Sequence, residues 1–145
     1  MNKKNIFVRH PYILNRKKTL DLSIFKNDIY SKKTENKIKF IRKTRFIIVN
    51  IDDSIHMKYL NNPKNFEKTY VNYISKTNQK EHTLETFKEL KENFALEILK
   101  KNKILITKQE VNKEDIYIIL DGCHRASIYY KFISDDLTDE YYQII

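Results

Sequence analysis

The segment Leu120–Arg125, which reads Leu-Asp-Gly-Cys-His-Arg, concentrates residue types that could carry chemistry. Gly122 is the only glycine and Cys123 the only cysteine among the 145 residues. An apolar run precedes this segment and a stretch with helical character follows it, so we expect it to lie where a buried strand becomes a helix. A chain this poor in glycine is expected to use one where the backbone approaches a neighbour closely or adopts a φ that other residues resist.

A turn of this kind predicts a phosphate site. Backbone N–H groups at a helix N-terminus point outward, and the helix dipole favours an anion there. Arg125 can add a bidentate clamp and His124 a further donor. Asp121, at the end of the strand, could hold Mg²⁺ or accept a substrate proton. Cys123, at a helix start beside a histidine and an arginine, is a candidate nucleophile.

The same residues also have ordinary structural interpretations. An Asp-Gly pair is commonly just a turn. A single cysteine commonly packs as a small buried hydrophobe, and a His-Arg pair on a helix is commonly solvated. The sequence leaves these alternatives open beside the phosphate site.

Two adjacent carboxylates end a predicted strand further upstream. If Asp52 and Asp53 lie at the same edge of the sheet as Asp121, Asp53 is a candidate catalytic carboxylate for phosphoryl transfer. Two acidic residues in this position are also typical of a simple strand end.

A second predicted helix start contains His82 and Thr83. Thr83 is a plausible N-cap, and both residues are candidates for contact with a nucleotide. His56 is interpreted as an ordinary residue, and His10 lies in a basic segment with no partner assigned to it. No spacing among the four histidines and the cysteine suggests a structural zinc site.

The elements that must position these residues alternate between strands and helices. The predicted strands are 46–51, 104–106 and 116–120, the predicted helices 66–74, 83–99 and 126–133, and a polar connection spans 110–115. This order predicts an α/β (α+β) fold, a small mixed sheet with flanking helices.

The formal net charge of +9 is unevenly distributed. Residues 1–45 contain 14 Lys and Arg against three acidic residues, whereas residues 46–145 contain 14 against 16. We therefore divide the chain into a basic N-terminal extension, 1–45, and a folded domain, 46–145. A basic arm suggests nucleic acid, a membrane surface or another anionic partner. Arginine, the usual reader of base edges, is scarce at 5 residues against 23 lysines, so nucleic-acid binding through the arm is possible but not favoured.

Composition excludes several classes of protein. A single cysteine rules out an internal disulfide framework. The longest apolar run, Ile116–Leu120, is far too short to cross a bilayer, so we expect no membrane insertion. Arg9 interrupts the only apolar run near the N-terminus, so a signal peptide is not expected and the cytoplasm is the expected location. The oligomeric state is not predicted.

The stretch Ile118–Ile128 resembles the signature of the ParB/sulfiredoxin superfamily. Members carry an Asp-Gly-His-His-Arg-like or Gly-Cys-His-Arg element between a strand and a helix and bind nucleotide phosphates with it. The predicted order of elements over residues 46–133 agrees with this resemblance. It implies a ParB/sulfiredoxin-like fold that binds ATP or ADP with Mg²⁺ through Gly122, Cys123, His124 and Arg125.

The branches of this superfamily imply different functions. Resemblance to free serine kinases assigns a catalytic role to Asp121, with Cys123 in place of the first histidine of their motif. Resemblance to sulfiredoxins assigns ATP-dependent thiol chemistry to Cys123, although this chain has Asp121 where they usually have another glycine. The chromosome-partitioning branch needs a helix-turn-helix domain after the motif, which we expect to be absent.

The favoured function is therefore a kinase-like, nucleotide-binding phosphotransferase that acts on a small hydroxyl-bearing metabolite. Residues 81–87 and 126–130 also resemble small ParB-like proteins of bacterial surface-polysaccharide gene clusters, which favours a sugar or a related metabolite as acceptor. The alternatives are sulfiredoxin-like chemistry at Cys123 and a non-catalytic module that binds nucleic acid or protein.

Overall fold

The computed structural model describes residues 1–10, 47–75 and 83–145. The strands are β1 (Ile6–His10), β2 (Ile47–Asn50), β3 (Ile104–Val111), β4 (Glu114–Asp121) and β5 (Tyr142–Ile144). The helices are α1 (Ile55–Asn61), α2 (Pro63–Ser75), α3 (Leu84–Glu92), α4 (Leu96–Lys101) and α5 (Cys123–Phe132). This mixed sheet with flanking helices confirms the predicted α/β (α+β) class of fold.

The sheet has the strand order β2-β1-β4-β3-β5. β1 pairs in parallel with β4 and antiparallel with β2. β3 pairs antiparallel with β4 and in parallel with β5. The carboxyl ends of β1 and β4 therefore meet at one edge of the sheet, and the carboxyl end of β2 lies at the opposite edge.

The N-terminal residues belong to this sheet, which corrects the predicted boundary between extension and domain. β1 was placed in the basic extension, but it lies between β2 and β4. Ile6 and Val8 are buried because alternate side chains of a strand point to the same face, here the face that packs against the core. Basic residues on either side of this short apolar run, Lys3 and Lys4 before it and Arg9 after it, obscure it in the sequence. Residues 11–45, the rest of the predicted extension, are outside the described part.

The hairpin that leads into the motif is longer than predicted. The connection expected over 110–115 is a two-residue turn at Asn112 and Lys113, with φ of 52° and 66°. Two successive positive φ values define the type I′ geometry that matches the twist of paired strands. β3 and β4 therefore continue as strands up to the turn, and their polar ends are exposed.

Two hydrophobic clusters hold the fold together. The first packs the sheet against α5 and the C-terminal segment, and includes Ile6, Ile106, Ile119 and Tyr130. The second lies among the helices. It is formed by Ile55, Tyr59, Leu60, Tyr70, Tyr73, Phe87 and Ile128. Phe94 packs against both clusters. α5 contributes to both clusters, with Tyr130 in the first and Ile128 in the second.

The helices differ from the prediction in their number and in their bounds. The single helix expected over 83–99 is broken at residues 93–95, where the Asn93 side chain donates a hydrogen bond to the Glu89 carbonyl and Phe94 reaches both clusters. α1 was not predicted, and Pro63 begins α2 directly after it. No helix within the described ranges is long and apolar enough to cross a membrane.

Candidate anion-binding site

Gly122 forms the turn between β4 and α5 with a φ of 101° and caps the helix. L-residues rarely adopt this conformation. A Cβ at this position would lie 3.0 Å from Arg125 Nη2 and 3.3 Å from Ile104 Cγ1. Both expected reasons for a glycine, a positive φ and a close approach, are therefore confirmed. Cys123, His124 and Arg125 all lie in the first turn of α5, three residues earlier than the helix was predicted to begin.

The guanidinium of Arg125 folds back over this turn. Its Nη1 donates to the Asn102 carbonyl, and its Nη2 lies 3.7 Å from Asp121 Oδ2. Burial lowers the pKa of Arg125, and the neighbouring Asp121 and Cys123 partly offset that effect. An arginine keeps its proton under these conditions. The ion pair of Arg125 with Asp121 therefore places a guanidinium at the N-terminus of α5, where the helix dipole also favours an anion.

Asp121 is half-buried at the end of β4 and forms an ion pair with Arg125. In the described ranges, no group of three histidines, cysteines or carboxylates is placed to hold a metal ion. Mg²⁺ in phosphate sites is commonly held by one or two carboxylates together with substrate oxygens. The single carboxylate of Asp121 fits that arrangement, and it does not fit a metal site made of protein ligands alone.

The His124 side chain lies against the helices. Its Nε2 is 2.8 Å from Tyr70 Oη, and its ring packs edge-on against His56 and Phe87, with centroids 4.3 Å and 4.8 Å apart. Burial raises the pKa of Tyr70, so the phenol stays protonated and can donate to a neutral His124. His56, interpreted as ordinary from the sequence, is thus a buried neighbour of the motif. It lies on α1, the helix that was not predicted.

Cys123 is half-buried and packs against the first hydrophobic cluster. Its carbonyl accepts a hydrogen bond of 2.7 Å from Ser127 Oγ, one turn along α5. Cys123 also interacts electrostatically with Arg9 and Arg125. The cysteine therefore packs as a small hydrophobe next to two cationic side chains, and its role as a nucleophile remains a prediction.

Sequence reasoning missed Arg9. It lies on β1, and its Nη2 donates a hydrogen bond of 2.8 Å to the Leu120 carbonyl, directly before the motif. Burial lowers the pKa of Arg9, whereas nearby Cys123, Tyr73 and Asp121 raise it. Arg9 and Arg125 are the two arginines of the described residues, and both flank the motif. Scarcity of arginine does not single out Arg9 in the sequence, because Arg16, Arg42 and Arg45 lie in the same basic segment.

Asp53 does not join this site, which corrects its assignment as a catalytic carboxylate. It lies in a short 3-10 helix after β2, is exposed, and lies at the sheet edge opposite Asp121 because β2 runs antiparallel to β1. Lys3 Nζ lies 3.5 Å from Oδ1 of Asp52, the neighbour of Asp53. The same Nζ lies 3.5 Å from Oδ1 of Asp135, which follows the far end of α5. The error came from strand direction, which the sequence pattern does not reveal.

Thr83 acts as the N-cap of α3. Its hydroxyl accepts a hydrogen bond from the Thr86 amide, and its own amide donates to Thr86 Oγ1, which completes a capping box. The cap holds the start of the helix whose Phe87 packs against His124. A contact between Thr83 and a nucleotide remains a prediction. His82, predicted beside it, lies outside the described residues.

Comparisons with protein-family models, curated proteins and solved structures found no match to the chain. The interpretation of the site therefore depends on its geometry and on the resemblance of its motif.

Proposed function

We propose that this protein is a small ParB/sulfiredoxin-like phosphotransferase that binds ATP or ADP with Mg²⁺ at the Gly122–Arg125 turn. Its acceptor is a small hydroxyl-bearing metabolite such as a sugar, which is consistent with a role in surface-polysaccharide metabolism. One observation carries the proposal: the only glycine of the chain opens α5 with a positive φ, and the Arg125 guanidinium lies directly over it.

The electrostatics of the turn support phosphate binding. Three features favour a negative charge there: the N-terminus of a ten-residue helix, the guanidinium of Arg125 and that of Arg9. Packing of Cys123 and His124 into separate hydrophobic clusters fixes the backbone of the turn before a ligand arrives. Such fixed donors and charges are the main contribution that a protein makes to phosphoryl transfer.

In the proposed reaction, the acceptor oxygen forms a bond to the terminal phosphorus while the bond from phosphorus to the bridging oxygen breaks. The amides of the first turn of α5 and the Arg125 guanidinium hold the phosphate oxygens. Asp121 has one of two roles: it accepts the proton of the acceptor hydroxyl, or its carboxylate would hold Mg²⁺ together with the phosphate oxygens. The metal, when bound, neutralises part of the phosphate charge.

Calorimetry with ATP or ADP in the presence of Mg²⁺ tests the binding step. The wild type is expected to bind, and Arg125→Gln to bind about tenfold or more weakly, because hydrogen bonds to charged groups are strong. Lys131→Gln is the matched control, since it removes one positive charge from the exposed, opposite end of α5. The proposal fails if the wild type does not bind either nucleotide, or if Arg125→Gln binds as well as wild type.

Turnover is tested by nucleotide depletion against a panel of sugars, polyols and amino acids. An acceptor is expected to accelerate depletion in the wild type, and Asp121→Asn is expected to abolish the acceleration. Depletion at the same rate in both proteins would remove Asp121 from the mechanism.

Sulfiredoxin-like thiol chemistry is the second candidate, favoured by the electrostatic interaction of Cys123 with both arginines. Positive neighbours stabilise a thiolate, which is the reactive form of cysteine. Cys123→Ser distinguishes the two candidates. A phosphotransferase should keep most of its activity in this variant, whereas a thiol-dependent enzyme should lose turnover.

A further inference from the structure

The far end of α5, away from the Gly122 turn, exposes two large hydrophobic side chains that are adjacent in the chain. Phe132 and Ile133 are 50% and 48% exposed. Phe132 lies one turn after Ile128 on the same face of the helix, and Ile128 is buried in the second cluster. The apolar face of α5 therefore continues beyond the part that the second cluster covers. We call the exposed side chains of Phe132 and Ile133 the end patch.

A lysine borders the end patch on one side. Lys91 is exposed on α3, and its Nζ lies 5.5 Å from the centroid of the Phe132 ring. α3 packs on the side of α5 that carries Ile128, since Phe87 and Ile128 share the second cluster. Within the described ranges, no carboxylate forms an ion pair with Lys91. This side of the end patch is therefore positively charged.

A carboxylate borders the end patch on the other side. Asp135 follows the helix and is 70% exposed, and its Oδ1 lies 3.5 Å from Lys3 Nζ. Lys3 directly precedes the sheet, on the side of α5 where Tyr130 packs in the first cluster. The same lysine lies 3.5 Å from Asp52, so one cation is shared by two carboxylates. This side of the end patch is therefore negatively charged.

We propose that the end patch is the surface through which two copies of this chain associate. In a two-fold dimer, each copy applies the same surface to the other. Phe132 and Ile133 then pack at the centre, and Lys91 of each copy faces Asp135 of the other. Opposite charges on the two sides of the end patch make this surface self-complementary. An anionic membrane would attract Lys91 but repel Asp135, so the charges favour a second copy as the occupant.

The inference goes beyond the proposed function and does not depend on it. The Gly122 turn lies at the opposite end of α5, so this contact leaves the turn open in both copies. A stable interface buries about 800 Å² on each partner, and two side chains supply only the centre of such an area. The dimer is therefore weak, and its population rises with protein concentration.

Sedimentation velocity over a hundredfold range of protein concentration tests the surface. The wild type is expected to shift from monomer towards dimer. Phe132→Ser should weaken the association about tenfold or more, because a buried aromatic side chain at the centre of an interface carries much of the binding energy. Lys64→Glu is the control. It reverses the charge of an exposed lysine at the start of α2 and should associate like the wild type.

Charge reversal tests the pairing of Lys91 with Asp135. Lys91→Glu and Asp135→Lys each make two contacts of the symmetric dimer repulsive, and each should weaken the association about threefold or more. The double variant restores opposite charges across the interface and should associate within about twofold of the wild type. A merely structural effect of either substitution would not be reversed by the other.

The inference is overturned if the wild type stays monomeric over the whole range, or if Phe132→Ser associates like the wild type. Failure of the double variant to recover overturns it as well. So does a monomer that instead sediments with phosphatidylserine vesicles, since the surface then faces a membrane. Circular dichroism checks that each variant is folded, and Ile133→Ser replaces Phe132→Ser if the latter is not. None of these outcomes changes the test of nucleotide binding at the Gly122 turn.

Discussion

At the scale of single residues, the site depends on side chains that leave its central turn in different directions. Arg125 folds back over Gly122, His124 enters the aromatic cluster beside Tyr70, and Cys123 packs against the sheet. The backbone of the turn is consequently fixed from several sides. Gly122 allows the positive φ of the turn, and these side-chain contacts hold the turn in place.

Replacing Gly122 with alanine should destabilise the fold and weaken nucleotide binding together. A positive φ costs an L-residue about 1–2 kcal/mol, and the new Cβ would press against Arg125 and Ile104. We expect urea unfolding to show a loss of about that size. Gly122→Asn is the control, because asparagine tolerates a left-handed backbone better and should lose less stability. Equal stability of wild type and Gly122→Ala would contradict the backbone geometry.

Buried tyrosines should make the folded state sensitive to alkaline pH. Burial raises the pKa of Tyr70 and Tyr130 above the ordinary 10.0. Above pH 10.0 the folded chain therefore keeps protons that the unfolded chain releases, so the stabilisation is present below that pH and is lost as the pH rises. The free energy of unfolding should fall from pH 9.5 to 11 in the wild type, and more gently in Tyr130→Phe. A flat profile would contradict the burial of these phenols.

At the scale of elements, the sequence predicted β2, β3, β4 and the helical segments other than α1, but it did not reveal β1 and β5 or which strands pair. The apolar run Ile116–Leu120 predicted β4 correctly. The run is uninterrupted because three consecutive residues of it are buried. The predicted connection of the hairpin was too long, because neither turn residue, Asn112 or Lys113, is a glycine that would mark the positive φ. Asp53 was assigned to the wrong edge of the sheet because the residue pattern of a strand does not show whether it runs parallel or antiparallel to its neighbour.

The hairpin turn offers a direct test of this account at the element scale. Lys113 has a φ of 66°, and Asn-Gly is the preferred pair for such a turn. Lys113→Gly should therefore raise the free energy of unfolding by about 0.5 kcal/mol, since relief of the left-handed strain exceeds the entropy cost of glycine. Lys103→Gly, another exposed lysine before β3, should instead lower it. Destabilisation by Lys113→Gly would contradict the turn geometry.

At the scale of the whole molecule, β1 brings the start of the chain into the same sheet as β4. Residues from the start of the sequence lie between β2 and β4, and Arg9 reaches the motif more than a hundred positions away. The sequence predicted the motif because its glycine and cysteine are unique, but it could not reveal Arg9 or His56, whose roles depend on tertiary contacts. The excess of basic residues over 1–45 misled the domain boundary, because it made β1 resemble part of a tail.

A chain that begins at Phe46 should therefore fail to fold cooperatively. It lacks the strand between β2 and β4 and two buried aliphatic side chains, Ile6 and Val8, worth about 1.5–3 kcal/mol each. Deletion of Gln143–Ile145 is the control, because it shortens only the edge strand β5 and should cost less. Thermal unfolding followed by circular dichroism checks both. A sharp transition in the shortened chain would restore the predicted boundary at residues 45 and 46.

The most direct test of the central claim is a titration of the ¹⁵N-labelled protein with ATP and Mg²⁺, followed by backbone amide resonances. If the Gly122 turn grips phosphate, the largest shifts should occur at the amides of Gly122, Cys123 and His124 and at the guanidinium N–H of Arg125. Saturating ATP that leaves these signals in place, or that moves only signals elsewhere on the protein, would contradict the account.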